Sequence, residues 1–176
     1  MKIEQLYTSC LAQGAYYIES NGEAAVIDPL RDVSQYIKLA EQSNSKIKYV
    51  FETHFHADFV SGHLSLANLT DAQIVYGPKA DPDYESLIAT DKQVFNIGEI
   101  TLTVLHTPGH TLESTSFLLK DNFGKEYCIF TGDTLFLGDV GIPDVAQRYM
   151  GLSKEQLAGI LYDSVNLKIK PLPDNI

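Results

Sequence analysis

All five histidines of this chain lie in two short segments, His54-Phe55-His56-Ala57-Asp58-Phe59-Val60-Ser61-Gly62-His63 and His106-Thr107-Pro108-Gly109-His110, and a Gly132-Asp133 turn follows them. Imidazole nitrogens and carboxylate oxygens are the donors that borderline divalent metals take. A His-x-His pair on an extended segment sends both rings to one side, because side chains alternate along a strand. A lone histidine would carry no such meaning. Here three apolar runs, at 47–51, 100–105 and 127–130, each deliver candidate ligands at their carboxyl ends. Apolar, β-branched runs bounded by Gly, Pro and polar residues read as buried strands, and the loops leaving such strands are where folds place their chemistry. The expectation is a bound metal.

Those strands need a framework, and much of it is readable. An opening segment to about Cys10, then 15–19 and 24–27 flanking Asn21-Gly22, predicts strands and a tight hairpin, since Asn-Gly supplies the positive φ that such turns require. Asp32 opens a helix with Val33, Tyr36, Ile37 and Ala40 on one face, stopped by Ser43-Asn44-Ser45. A short helix is expected over 64–69 and a strand over 73–78. A strand pair is expected over 94–105, turning at Ile97-Gly98, and a hairpin over 115–120 and 126–130. Ser153 and Gln156 form a capping-box pattern ahead of Leu157, Ile160, Leu161 and Val165 at helical spacing. The closing Lys170-Pro171-Leu172-Pro173 begins an extended segment that stops where another strand is expected, so the sequence reads as cut short.

At 176 residues and 44% hydrophobic content, the chain fits one soluble globular domain over 1–176. A net charge of −10 with no basic patch argues against nucleic acid as a partner. The lack of any apolar run near the roughly 20 residues of a membrane span, or of a signal pattern at Met1-Lys2-Ile3-Glu4, gives a cytoplasmic expectation. Cys10 and Cys128 are too few and too far apart for a disulfide framework. Both read as reduced, Cys128 as a packing residue.

The pattern His54-x-His56-x-Asp58, then His110 in a Pro-Gly-His-Thr turn, then Gly132-Asp133-Thr134, resembles the metallo-β-lactamase superfamily over essentially the whole chain. Residues 56–63, Ala25-Val26-Ile27-Asp28-Pro29 with Arg31-Asp32-Val33, and 131–141 look like its persulfide dioxygenase branch. The resemblance implies an α/β fold, an αββα sandwich incomplete at its C-terminal end. It also implies one Fe(II) held by His54, His110 and Asp133, a face that leaves open positions for sulfur and O₂. His56 and Asp58 would then act around the metal, orienting ligands and steering protons. The reaction implied is oxidation of a small thiol persulfide, such as glutathione persulfide, to sulfite and thiol. Further expected partners are a second copy of the chain, as a homodimer, and a rhodanese-type sulfurtransferase, separate or fused.

Phe59 separates the possibilities most sharply. Dinuclear hydrolases of the superfamily carry His there as a ligand to a second metal, so Phe59 favours a single ion. The chain departs from the branch at Gly141-Ile142-Pro143-Asp144, where the family turn has Arg in place of Ile142. The alternative reading is a zinc-dependent thioester hydrolase of the hydroxyacylglutathione hydrolase type, with Asp58 as base. A third is a metal-binding module without activity. His63 and His106 are expected to have structural roles or to shape the pocket, and Asp28 to be a turn former or an acid beside the ligands. Arg31 is expected to pair with carboxylates, and Arg148 and Tyr149 to reach a thiol carrier.

Overall fold

The computed structural model describes residues 1–144 and 151–176. Strands β1 (Lys2–Thr8), β2 (Gln13–Ser20) and β3 (Glu23–Ile27) form an antiparallel meander. Then β4 (Lys46–Phe51), β5 (Gln73–Tyr76) and β6 (Leu87–Ile88) add in parallel, giving a six-stranded sheet in sequential order. The parallel steps require crossovers, supplied for β3 to β4 by α1 (Ser34–Ser43) and for β4 to β5 by α2 (His63–Thr70). A second, antiparallel sheet has the order β10 (Glu126–Phe130), β9 (Thr115–Lys120), β8 (Ile100–His106), β7 (Val94–Ile97).

Strand alternation divides the apolar residues between two layers. On β3, Ala25 and Ile27 face the second sheet and join Phe51, Phe95, Ile97, Leu102, Val104 and Phe117 in the inter-sheet core. Ala24 and Val26 face the other way and pack with Tyr36 of α1 and Leu66 of α2. This two-sided burial is why β3 and β4 read as continuous apolar runs. The third helix, α3 (Lys154–Ser164), is opened by the expected Ser153–Gln156 capping box. It docks on the turn after β8, where the Ser164 hydroxyl donates to the Pro108 carbonyl at 2.7 Å. A Cβ on Gly109 would fall 2.4 Å from the Leu161 Cβ, so the turn can approach the helix only without a side chain.

The αββα sandwich is therefore present, with three α-helices among the described residues. The Asn21-Gly22 hairpin, the 94–105 pair and the 115–130 hairpin stand where the spacing puts them. Strand β6 has two residues and makes only two pairings, too short for any periodicity to show. The α3 pattern continues past Ser164 as a π-helical turn over Val165–Ile169. Arg148 and Tyr149 lie outside the described residues. Among the described residues no helix is long and apolar enough to cross a membrane. Cys128 is half-buried against the core and its thiol is pushed up to about 11 by burial, whereas Cys10 is exposed.

Phe51 links the two sheets, its ring 4.9 Å from that of Phe117 and 5.2 Å from that of Phe95. Truncating a fully buried aromatic in such a cluster costs about 3–5 kcal/mol. Phe51→Ala is expected to lower the unfolding free energy by that amount in urea titration, and a loss below about 1 kcal/mol would show that the sheets are held elsewhere.

Candidate metal centre

The ends of β3 and β4 lie side by side, Ile27 opposite Phe51, so the residues that follow, Asp28 and Glu52 to His54, emerge at one edge of the sandwich. Asp28 has a left-handed backbone, φ 49°, which turns its carboxylate back over the exit of β4. There Oδ1 accepts from the Thr53 amide and Oδ2 from the Thr53 hydroxyl, both at 2.8 Å. From the second sheet, β8 leads to His110 and β10 to the 3₁₀ turn Gly132–Thr134 carrying Asp133. Gly132 has φ 48°, and a Cβ there would meet the Thr53 Oγ1 at 2.6 Å. Thr134 beside it is pinned by its hydroxyl to that of Thr107 at 2.9 Å.

One proton count fixes the chemistry of this edge. The Thr53 hydroxyl gives its only proton to Asp28, so at its 3.0 Å contact with His54 Nδ1 it must accept. His54 is thus protonated at Nδ1 and its Nε2 is a bare lone pair. His110 likewise donates from Nδ1, to the Ile142 carbonyl at 2.9 Å, which turns its Nε2 toward the same point. Both Nε2 atoms face Asp133 Oδ2, at 3.8 Å for His54 and 3.4 Å for His110. Two ring nitrogens and a carboxylate oxygen thus converge. Separations near 3.4 Å are what donors about 2.1 Å from a shared tetrahedral ion adopt.

The electrostatics agree. Burial, helped by the charge of His56, pushes His54 down to about 3, so its ring is neutral and ready to bind a cation. Burial holds the Asp133 carboxyl above the usual range, and the charges of Asp58 and Asp28 add to this against the pull of His110 and His56.

The structure brings His54, His110 and Asp133 together. The His56 ring lies beside them, 4.2 Å from that of His54, with its Nε2 toward Asp28 Oδ1 at 3.1 Å and Glu52 Oε2 at 3.5 Å. Asp58 is exposed at the mouth, and the Phe59 ring lies 4.4 Å from that of His56. Asp28 is both turn former and buried acid. His106 donates from Nε2 to the Leu112 carbonyl at 2.8 Å and has a structural role. His63 lies 3.6 Å from Glu52 and 5.1 Å from the Tyr84 ring. Arg31 makes no ion pair with any described carboxylate. Glu52 was missed. It is 1% exposed and receives the Ser61 hydroxyl at 2.6 Å, yet in sequence it is one acid after an apolar run.

This sandwich with candidate ligands gathered at one edge is a metal-binding class of scaffold. The sequence pattern of the metallo-beta-lactamase superfamily matches residues 9–172, and the chain belongs to that superfamily. A metallo-beta-lactamase from Staphylococcus aureus is 37% identical and superposes with a TM-score of 0.88 over 100% of this chain and 54% of its own. ETHE1 from Myxococcus xanthus, 28% identical, superposes with a TM-score of 0.84 over 99% of this chain and 72% of its own. Among curated sequences, the cytoplasmic hydroxyacylglutathione hydrolase of Arabidopsis thaliana is 36% identical over 146 residues, covering 80% of this chain and 55% of the relative. A hydroxyacylglutathione hydrolase of Tolumonas auensis is 35% identical over 92% of this chain and 67% of its own length. The chain spans about half the length of the first of these curated relatives.

These relatives overturn the expected persulfide dioxygenase, since they are hydrolases. The expectation failed for a physical reason. Two imidazoles and a carboxylate suit zinc as well as Fe(II), and such sites bind zinc the more tightly of the two, so the ligand triad selects neither iron nor oxygen chemistry. Phe59 bears on how many ions bind, not on which.

In the metal-free chain, burial and then the Asp28 charge push Glu52 up to about 8, against the pull of His56. Burial opposes a charge on His56, but Asp28 outweighs it and holds the ring at about 9. Both groups bind protons more tightly folded than unfolded. Their contribution is complete below the unfolded values of 4.5 and 6.5 and lost as pH rises through 8 and 9. Asp28 is lowered, burial being outweighed by His56, so its share is lost only in acid, below 3.8. The melting temperature of the metal-free chain is expected to fall between pH 5 and 9, less steeply in Glu52→Gln. A melting temperature that rises across this interval would show that Glu52 is ionised in the fold.

Proposed function

We propose that this chain is a zinc-dependent hydrolase of thioesters, of the hydroxyacylglutathione hydrolase type, acting through one metal held by His54, His110 and Asp133. What carries the metal in this reading is the convergence of two imidazole nitrogens and Asp133 Oδ2 at one edge of the sandwich. The curated relatives, named as hydroxyacylglutathione hydrolases, support the substrate class.

When bound, a divalent ion supplies Lewis-acid polarisation of the thioester carbonyl and makes water more acidic. The chain's own residues do the rest. Asp28, through Thr53, holds the His54 ring in one orientation and one tautomer, and the Ile142 carbonyl does so for His110. Asp58, at the mouth and close enough for its charge to be felt by Asp133, accepts the proton of the attacking water. Water adds to the carbonyl carbon, the carbon–sulfur bond breaks, and the thiolate leaves without needing a proton because a thiol pKa is about 8.5. Phe59, packed on His56, puts an apolar ring at the position that follows Asp58, in keeping with a single catalytic ion.

Zinc-loaded protein is expected to hydrolyse an S-(2-hydroxyacyl)glutathione. Asp58→Asn should lower kcat by about 10²–10⁴-fold with zinc content unchanged, whereas His110→Ala and Asp133→Asn should lose the catalytic zinc and the activity together. Zinc-loaded wild type that turns over no thioester, or variants that match it in rate, would rule the assignment out.

A further inference from the structure

The backbone of His54 is held on both sides by carboxylates drawn from different layers. The Thr53 amide before it donates to Asp28 Oδ1 at 2.8 Å, and the Phe55 amide after it donates to Glu113 Oε1 at 3.2 Å. Asp28 ends a strand of the first sheet, whereas Glu113 lies on the turn from β8 to β9 in the second, three residues beyond His110. Glu113 is 5% exposed, and among the described residues the Phe55 amide is the one hydrogen-bond partner of its side chain.

The register explains what that side chain replaces. The Thr115 amide donates to the Thr53 carbonyl at 2.9 Å. An antiparallel ladder continued from this bond pairs Phe55 with Glu113, and the Phe55 amide would then donate to the Glu113 main-chain carbonyl. That carbonyl instead accepts from the Thr115 hydroxyl at 2.9 Å, and the Glu113 side-chain oxygen stands in for it. The turn presenting Glu113 is fixed from within and from below. The Thr107 amide donates to the Ser114 carbonyl at 2.9 Å, the Thr111 amide to the Ser114 hydroxyl at 3.0 Å, and a Cβ on Gly77 would fall 1.6 Å from the Thr115 Oγ1.

We propose that Glu113 is a positioning residue of the metal centre, whose carboxylate acts as a side-chain rung that sets the His54 ring against that of His110. The two rings meet edge-on, with centroids 5.0 Å apart and an interplanar angle of 88°. Glu113 reaches the centre through the backbone, not by touching the ion. A residue between two anchored amides has little freedom to swing its ring, so the loop that carries one imidazole ligand also aims the other. This rests on the metal centre of the preceding reading and is independent of the thioester reaction.

Titrating the metal-free chain with Co(II), and following the visible absorption that reports ligand geometry, tests this. Glu113→Ala is expected to weaken Co(II) binding about 10–100-fold and to change the absorption bands. Glu113→Gln, which keeps an acceptor oxygen at the same reach, is expected to restore both. In the metal-free chain the Phe55 amide should exchange with solvent faster in Glu113→Ala and at the wild-type rate in Glu113→Gln. Affinity and spectrum unchanged in Glu113→Ala overturn the proposal while leaving the centre standing, and so does a Glu113→Gln as impaired as Glu113→Ala. A wild type that binds no Co(II) overturns the centre and the proposal with it. If Glu113→Ala does not fold, Glu113→Asp, one methylene shorter, takes its place. Weakened binding there beside an intact Glu113→Gln supports the rung, and wild-type binding refutes it.

Discussion

The hydroxyl of Thr53 has one proton, and the site is built on where that proton goes. Because Asp28 takes it, His54 must donate from Nδ1 and is left with a bare Nε2. Asp28 reaches Thr53 only because β3 and β4 pair in one register and because its own backbone turns left-handed at the strand end. A slip of one residue would send Asp28 to the opposite face of the sheet and release the tautomer. The position of a single hydrogen atom is thus set by strand pairing in the core.

The two sheets contribute unequal parts of the centre, and they meet close to it. The first sheet gives His54, and the second gives His110 and Asp133. The Thr115 amide donates to the Thr53 carbonyl at 2.9 Å, and Glu113 receives the Phe55 amide at 3.2 Å, so the ligand loops are laced together beside the Phe51, Phe95 and Phe117 rings. Ligands drawn from separate layers exist as a set only in the folded state. Cation binding therefore adds to the stability of the sandwich as a whole.

Much of this was visible in the chain. Strand ends announced His54, His110 and Asp133, because apolar runs must stop where polar ligands begin, and the Asn21-Gly22 and Ser153–Gln156 signals are local and self-contained. What stayed hidden depends on partners distant in sequence. Glu52 looks like an ordinary surface acid until Asp28 and Ser61 arrive beside it. His56 shares the alternation of His54, yet its reactive nitrogen is claimed by Asp28 and Glu52, whose positions no spacing rule encodes. The reaction was misread because the same donor triad serves hydrolytic zinc and redox iron, and the difference lies outside those three side chains.

His110 is oriented by the carbonyl of residue 142, while the side chain there, Ile142, is 64% exposed. A main-chain oxygen survives almost any exchange of amino acid. The rim at this position is therefore free to drift toward new substrates, mutation by mutation, while the ligand it steadies keeps its aim.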